Sequence, residues 1–430
     1  MQVVSQIIFA LALAAATYLF ARNVGKIRRN INLGKPLDRT DNPSLRLKTM
    51  LRVAFGQSKM VVRPIPGILH FIVYIGFVLI NIEVLEIIID GLAGTHRIFM
   101  SPLGSLYTAA VGFFEILGVM VLLACVFFLT RRYISKVPRL NMKEVQGWPV
   151  KDATNILVIE IVLMLALLVM NATDLHFQQE TSMPISSLLA PLFSGMSEST
   201  VHIIERVAWW GHILGILAFL NYLPFSKHFH IILAFPNPYY SDLNPKGKFT
   251  NMESVTTEVK LMMDPSALPP DNYEPPTSFG VKDVTDLTWK NLMDSYSCTE
   301  CGRCTSVCPA NITGKLLSPR KVMMDTRDRL EEVGKNIDKN GKFEDDGKNL
   351  HSYISNEELW ACTTCNACAE ACPVNINPVD IIYGMRQYLV MEQSQAPTEL
   401  NGMFTNLENN GAPWQFPPSD RGNWTQEVNS

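Results

Sequence analysis

The chain has 430 residues, room for two domains or more, and its 37 Lys and Arg against 40 Asp and Glu leave a net charge of −3. A nucleic-acid partner would ask for a basic face, so that class is excluded. The 47% apolar content is ordinary only as an average. Residues 1–235 hold nearly all the long apolar runs, and residues 236–430 are polar and contain eight of the nine cysteines.

In chain order, five segments are apolar over about 20 residues, the length a helix needs to cross a bilayer: roughly 3–21, 65–89, 104–130, 155–172 and 203–225. The first has no basic stretch before it, and Lys26, Arg28 and Arg29 follow it. It therefore reads as an anchor with its N-terminus outside, not as a cleaved signal. The connection after the first span, Arg22 to Arg63, and the one after the third, Arg131 to Lys151, are dense in Lys and Arg. The connections around 90–103 and 173–202 hold Arg97 as their only Lys or Arg. Basic loops stay inside, so the expectation is a multi-pass protein of the cell's inner (cytoplasmic) membrane, with everything after the fifth span in the cytoplasm.

Polar groups within the spans are expensive and usually functional. Glu115 and Glu160 are deep enough for proton exchange with a quinone lodged between helices. Glu83, Glu86 and Glu205 lie nearer the outer face and read as helix-end groups reaching headgroups, or, for Glu205, as a partner of Arg206. His70 lies near the cytoplasmic end of the second span, His212 at mid-depth in the fifth, and His228 and His230 at the fifth's cytoplasmic end. Imidazole is a standard axial ligand of haem iron, and by depth His70 can meet His230. His228, and His202 near the outer face, read as ordinary helix-end histidines. Cys125, inside an apolar run, reads as an inert packing residue.

The stretch from His212 to Pro236, H-ILGILAFLNY-LPFSKHFH-IILAFP, resembles the last span of the nitrate reductase gamma-type cytochrome b family, a five-helix membrane subunit with two b haems. That family places two ligand histidines on this helix 18 apart, the second closing an L-P-F-S/T-basic-x-x-H motif; His212 and His230 match. Of its two histidines on the second helix, 10 apart, His70 matches the first, whereas the second position is Ile80. The resemblance implies haem b between His70 and His230 and leaves His212 without an evident partner, hence one haem or two.

A linker over 236–289, rich in Pro, Asp, Asn and Ser, is expected to have little regular structure. Residues 290–395 hold two copies of C-x2-C-x2-C-x3-C-P: Cys298, Cys301, Cys304 and Cys308 before Pro309, then Cys362, Cys365, Cys368 and Cys372 before Pro373. Three thiolates two residues apart converge on one cubane, and the fourth, redirected by proline, serves the other. The pattern assigns Cys298, Cys301, Cys304 and Cys372 to one [4Fe–4S] cluster and Cys362, Cys365, Cys368 and Cys308 to a second. Structural zinc would pair C-x2-C units without the third cysteine and the proline, and disulfides are disfavoured in a reducing compartment. Amphipathic helices are expected from Leu316 to Val333, started near Ser318-Pro319, and from Asp380 to Glu392. The tail, 396–430, is polar and punctuated by Pro and Gly. It is expected to be loosely ordered until a partner binds, with Trp414, Phe416 and Trp424 as anchors.

The run W-x-C-T-T-C-x-x-C-x-x-x-C-P from Trp360 resembles the α-helical ferredoxin subunit of heterodisulfide reductases, and the combination of halves resembles heterodisulfide-reductase-like membrane proteins. The expectation is a mainly α fold: a five-helix transmembrane cytochrome b-like bundle over 1–235, then a cytoplasmic α-helical ferredoxin domain. Its expected work is to pass electrons between a cytoplasmic redox partner, two [4Fe–4S] clusters, haem b and the quinone pool, with no catalytic residue assigned. The resemblance implies a separate CCG-domain iron–sulfur protein, or an electron-transfer flavoprotein system, as partner. The alternative is a non-catalytic iron–sulfur redox sensor in the membrane.

Overall fold

The computed structural model describes residues 2–428 except 182, 250, 265, 271, 272, 274, 275 and 277. Among the described residues there is no strand, only an isolated parallel bridge between Lys35 and Thr288. Five helices are long and apolar enough to cross a membrane: α1 (Gln2–Ile31), α2 (Pro64–Ala93), α3 (Ser105–Tyr133), α4 (Trp148–Thr173) and α5 (Glu198–Tyr222). Their ends follow local chemistry. Proline occupies the first turn of α2 and of α4, where its missing N–H costs nothing. Ser197 caps α5 by accepting from Thr200 N, and Gly94 ends α2 in the left-handed region at φ 73°.

The helices pack in a ring of neighbours: α1 on α2 and α5, α2 on α3, α3 on α4, and α4 on α5. Phe114, Leu117, Val121, Leu163, Leu167 and Ile213 fill the interior. Side chains such as Val3, Leu123 and Val207 remain more than half exposed on the outer faces, as a lipid-facing surface requires. The helices outrun their apolar stretches because their ends continue as polar turns. The last turns of α1 reach the second unit: Lys26 pairs with Asp338 at 2.6 Å, and Arg29 Nη2 donates to Gly334 O at 3.0 Å.

That second unit carries α7 (Trp289–Ser297), α8 (Pro319–Asn340) and α9 (Pro378–Met391), preceded in the linker by α6 (Glu253–Met263). Ser318 caps α8 with Pro319 behind it, as the sequence suggests, but the helix runs on past Val333 and stops at Gly341, φ 78°. A capping box between Thr288 and Asn291 starts α7. Two expectations change. The linker contains a regular helix, α6, because residues 253–263 lack Gly and Pro and place Glu253 and Lys260 to suit the helix dipole. The tail likewise forms α10 (Thr398–Asn410), closed by Gly411 at φ 63°, while Trp414, Phe416 and Trp424 stay more than half exposed.

Every connection that touches the second unit leaves the same end of the bundle. Lys35 N donates to Leu287 O at 2.7 Å and Trp289 N to Lys35 O at 3.1 Å. Arg320 pairs with Glu144 at 2.6 Å, and Asn237 Nδ2 donates to Val374 O at 2.8 Å. Basic side chains of these connections add to the seat: Lys59 Nζ donates to Cys372 O at 3.2 Å and Arg63 Nη2 to Ser306 Oγ at 2.7 Å.

Candidate functional site

The two cysteine runs fold as copies of one turn. Glu300 and Thr364, each two residues after the first cysteine of its run, both take positive φ (53° and 54°); so do Gly302 and Asn366, four residues after it (68° and 58°). Gly302 has a further reason: a Cβ there would lie 2.4 Å from Arg320 Nη1 and 3.1 Å from Arg139 O. This backbone turns amides toward sulfur. Thr364 N donates to Cys362 Sγ at 3.4 Å, and Glu300 N to the sulfur of Cys298.

Folding brings the eight cysteines together in the crossed sets. A small void of about 20 Å³ is lined by Cys298, Cys301 and Cys304 of the first run and Cys372 of the second. Cys308 lies in the electrostatic neighbourhood of Cys362, Cys365 and Cys368. All nine cysteines are free thiols, Cys125 being fully buried in the bundle core. Two runs of three cysteines, each closed by a fourth and a proline, suit cubanes, which spread their thiolates around four irons. Burial pushes the thiols of Cys298 and Cys368 up to about 12 and that of Cys372 up to about 11. Such thiols ionise only against a strong positive charge, which iron supplies. The donor set and the amides aimed at sulfur fit two [4Fe–4S] clusters.

Beside the first set lies a cavity of about 370 Å³ between α2, α3, α4 and the segment after α5. Its wall shares Thr299, Cys301, Pro373 and Val374 with the smaller void. His70 and His230 face each other across it, ring centroids 6.4 Å apart. Metal–imidazole bonds of about 2 Å on opposite sides of one iron set two centroids about 6 Å apart, so this pair fits a six-coordinate haem. His230 Nδ1 bonds Lys227 O at 3.0 Å, which fixes the ring with Nε2 free. His70 lacks such support: its Nδ1 is buried without a partner. Burial lowers the pKa of His230, favouring the neutral, ligating form.

The turn carrying His230 is tied to the first cysteine run through Lys227. Its Nζ pairs with Glu300, and Glu300 also accepts from Arg327 at 2.9 Å. Burial opposes ionisation of Glu300, yet Lys227 and Arg327 together hold its carboxyl below the usual range.

Other residues singled out in the sequence lie as follows. His212 is fully buried, its Nδ1 bonded to Leu163 O at 3.0 Å and its Nε2 without a partner. The position that would face it, Ile80, is packed into the core. Glu160 lines the large cavity 4.0 Å from His228. Glu115 is structural: its carboxylate accepts from Asn171 and from the amides of Ile185 and Ser186. Glu205 pairs with Arg206. Glu83 and Glu86 do not reach outward to headgroups. Both are buried, because Arg97 folds inward and bonds Asp174 at 2.9 Å, Asn171 at 2.8 Å and the Tyr107 hydroxyl, which donates to Glu86 at 2.7 Å. Depth along the chain does not reveal such an inward arginine. Sequence reasoning also set aside His228, which lines the cavity 5.5 Å from His230 and stacks on Phe219, and it missed Arg131 and Arg132 on the same wall. The basic motif around His230 was the available signal for His228; nothing local marked the arginines.

Residues 297–376 match the model of a 4Fe–4S dicluster domain, so the chain carries a two-cluster iron–sulfur domain on a multi-pass membrane bundle. The chain is 30% identical, over 99% of its own length and 61% of the relative's, to the probable iron-sulfur-binding oxidoreductase FadF of Bacillus subtilis. It is 27% identical, over 91% of its length and 55% of the relative's, to the EtfAB:quinone oxidoreductase of Syntrophomonas wolfei. A shorter match, 33% over 24% of this chain and 52% of the relative, is to one of the subunits of the ferredoxin/F(420)H(2)-dependent CoB-CoM heterodisulfide reductase of Methanosarcina acetivorans. The chain thus spans about 61% and 55% of the length of the first two relatives. No solved structure matches it.

Proposed function

We propose that this chain is the membrane-bound electron-transfer subunit of a respiratory oxidoreductase, linking a soluble redox partner to the quinone pool. The observation that carries the reading is the shared wall: Cys301, Thr299, Pro373 and Val374 border both the void of the first cysteine set and the cavity spanned by His70 and His230. When bound, two clusters and a b haem supply one-electron steps, and the chain sets their spacing and surroundings. Cys365, the one exposed cysteine, puts the second set at the surface, where a partner can reach it. The first set, which shares a wall with the cavity, is the proposed link between the two. Cys298, Cys301, Cys304 and Cys372 hold the inner cluster, Cys362, Cys365, Cys368 and Cys308 the outer one, and His70 and His230 the haem. His212 has no role as a ligand in this reading.

Glu160 and His228 on the cavity wall are the polar groups suited to a quinone headgroup, in place of Glu115, whose oxygens are taken. The clustering of the basic connections at the end that carries the cysteine unit supports a cytoplasmic placement of that unit at the inner membrane. For the partner, the relative named for EtfAB and quinone supports an electron-transfer flavoprotein system. A CCG-type iron–sulfur protein is the other partner proposed. The tail beyond 396, with its exposed aromatic residues, is the proposed docking segment.

Anaerobically purified protein mixed with a short-chain naphthoquinol tests the reading. It should develop the reduced bands of a low-spin b haem; a chain that shows none, with clusters intact, contradicts it.

A further inference from the structure

The large cavity holds an unmatched charge. Of its cationic wall residues, Lys227 is paired with Glu300, Arg139 donates to Cys301 O, and Arg303 donates to Lys59 O at 2.7 Å and Met60 O at 3.1 Å. Arg131 and Arg132, in the last turn of α3, line the same cavity and are only half exposed. Neither side chain makes a hydrogen bond or ion pair with any described residue, whereas Arg139, Lys227 and Arg303 each do. Of the carboxylates on the wall, Glu300 is held by Lys227 and Arg327, and Glu160 lies near His228. A guanidinium withdrawn from water gains most from a carboxylate that meets its fork of donors, and the chain offers none here.

We propose that Arg131 and Arg132 form a carboxylate clamp for the two propionates of a haem held between His70 and His230. The proposal rests on the haem reading above. It adds what the histidines alone leave open, namely the rotation of the macrocycle about the His70–His230 axis. With its acidic edge drawn to the end of α3, the ring keeps one orientation relative to the wall it shares with Cys301. Two adjacent arginines also neutralise two carboxylates that would otherwise be costly at the membrane boundary.

The test compares protohaem IX with its dimethyl ester, which keeps the iron and ring but removes both charges. The full chain is produced under haem limitation and titrated in detergent with each form, following the Soret band, with cluster absorption as the check on folding. The wild type should bind the free acid more tightly than the ester, by roughly tenfold for each guanidinium–carboxylate pair. In Arg131→Gln/Arg132→Gln the acid should weaken to the level of the ester while the ester is unchanged. Arg131→Lys/Arg132→Lys, which keeps the charge that orients the helix in the membrane, should restore part of the preference. Equal binding of acid and ester by the wild type, or a preference that survives in the Gln double variant, overturns the clamp. A wild type that binds neither form as a low-spin haem overturns the haem reading itself, which separates the two failures.

Discussion

Glu300 sits at the crossing of two demands: its positive-φ backbone aims an amide at the Cys298 sulfur, and its side chain answers two cations, Lys227 and Arg327. Glu300→Gln keeps the shape but leaves two half-buried cations facing a neutral amide. The expected cost is about 3 kcal/mol, read as an earlier bleaching of cluster absorption in a denaturant titration. The same residue links the cysteine turn to the His230 turn, so the haem midpoint potential should shift in that variant, while Glu331→Gln on the neighbouring helix leaves it in place. The cysteines allow a sharper expectation. Cys308→Ser, although in the first run, should damage the cluster held mainly by the second, and Cys372→Ser the converse, as seen by EPR and iron content. Loss of the cluster held by the altered residue's own run would refute the crossed sets. These candidate ligands were legible in the sequence because the spacing within each run is local, and the proline after each fourth cysteine marks the one expected to leave its own set. Arg131, Arg132 and His228 were not, since a cavity wall is assembled from segments far apart in the chain.

The elements that join the two units are short and closely fitted. Where the chain leaves α1, Gly34 passes so near α7 that a Cβ would lie 2.5 Å from Trp289 N and 2.6 Å from Thr288 C. Gly34→Ala must therefore push the strand-like contact of Lys35 with Leu287 and Trp289 apart. The expected loss is about 1–3 kcal/mol, as for overpacking in a tight interior, with faster protease cleavage between residues 32 and 42. Helix existence was readable here from apolar length and from caps such as Ser318-Pro319. The regular turns in the linker and tail were not, because a high content of Pro, Asn and Asp over a long segment masks the short stretch that is free of breakers. Glu83 and Glu86 show the same limit: their helix position is plain, but only the fold reveals the inward Arg97 that keeps them buried.

At the scale of the whole molecule, the bundle is packed in one half and open in the other. Around His212 the core is filled by Leu163, Ile213 and their neighbours, whereas the cavity at the cysteine end is open. On the proposed reading, this packing leaves room for one haem per chain, between His70 and His230. His212→Ala should cost stability, about 2–4 kcal/mol for the void and the lost bond to Leu163. It should leave the pyridine haemochrome content unchanged, while His70→Ala and His230→Ala abolish it. In the proposed function electrons follow an ordered path from the exposed second cluster through the first to the haem cavity. Its most direct test is rapid mixing of the full chain with a photoreduced deazaflavin, following haem absorbance in the wild type and in Cys298→Ser, which removes the inner cluster. The variant should retain haem reducible by naphthoquinol, yet lose at least most of the rapid haem reduction from the soluble donor. Haem reduction at the wild-type rate in a variant shown by EPR to lack the inner cluster would contradict it.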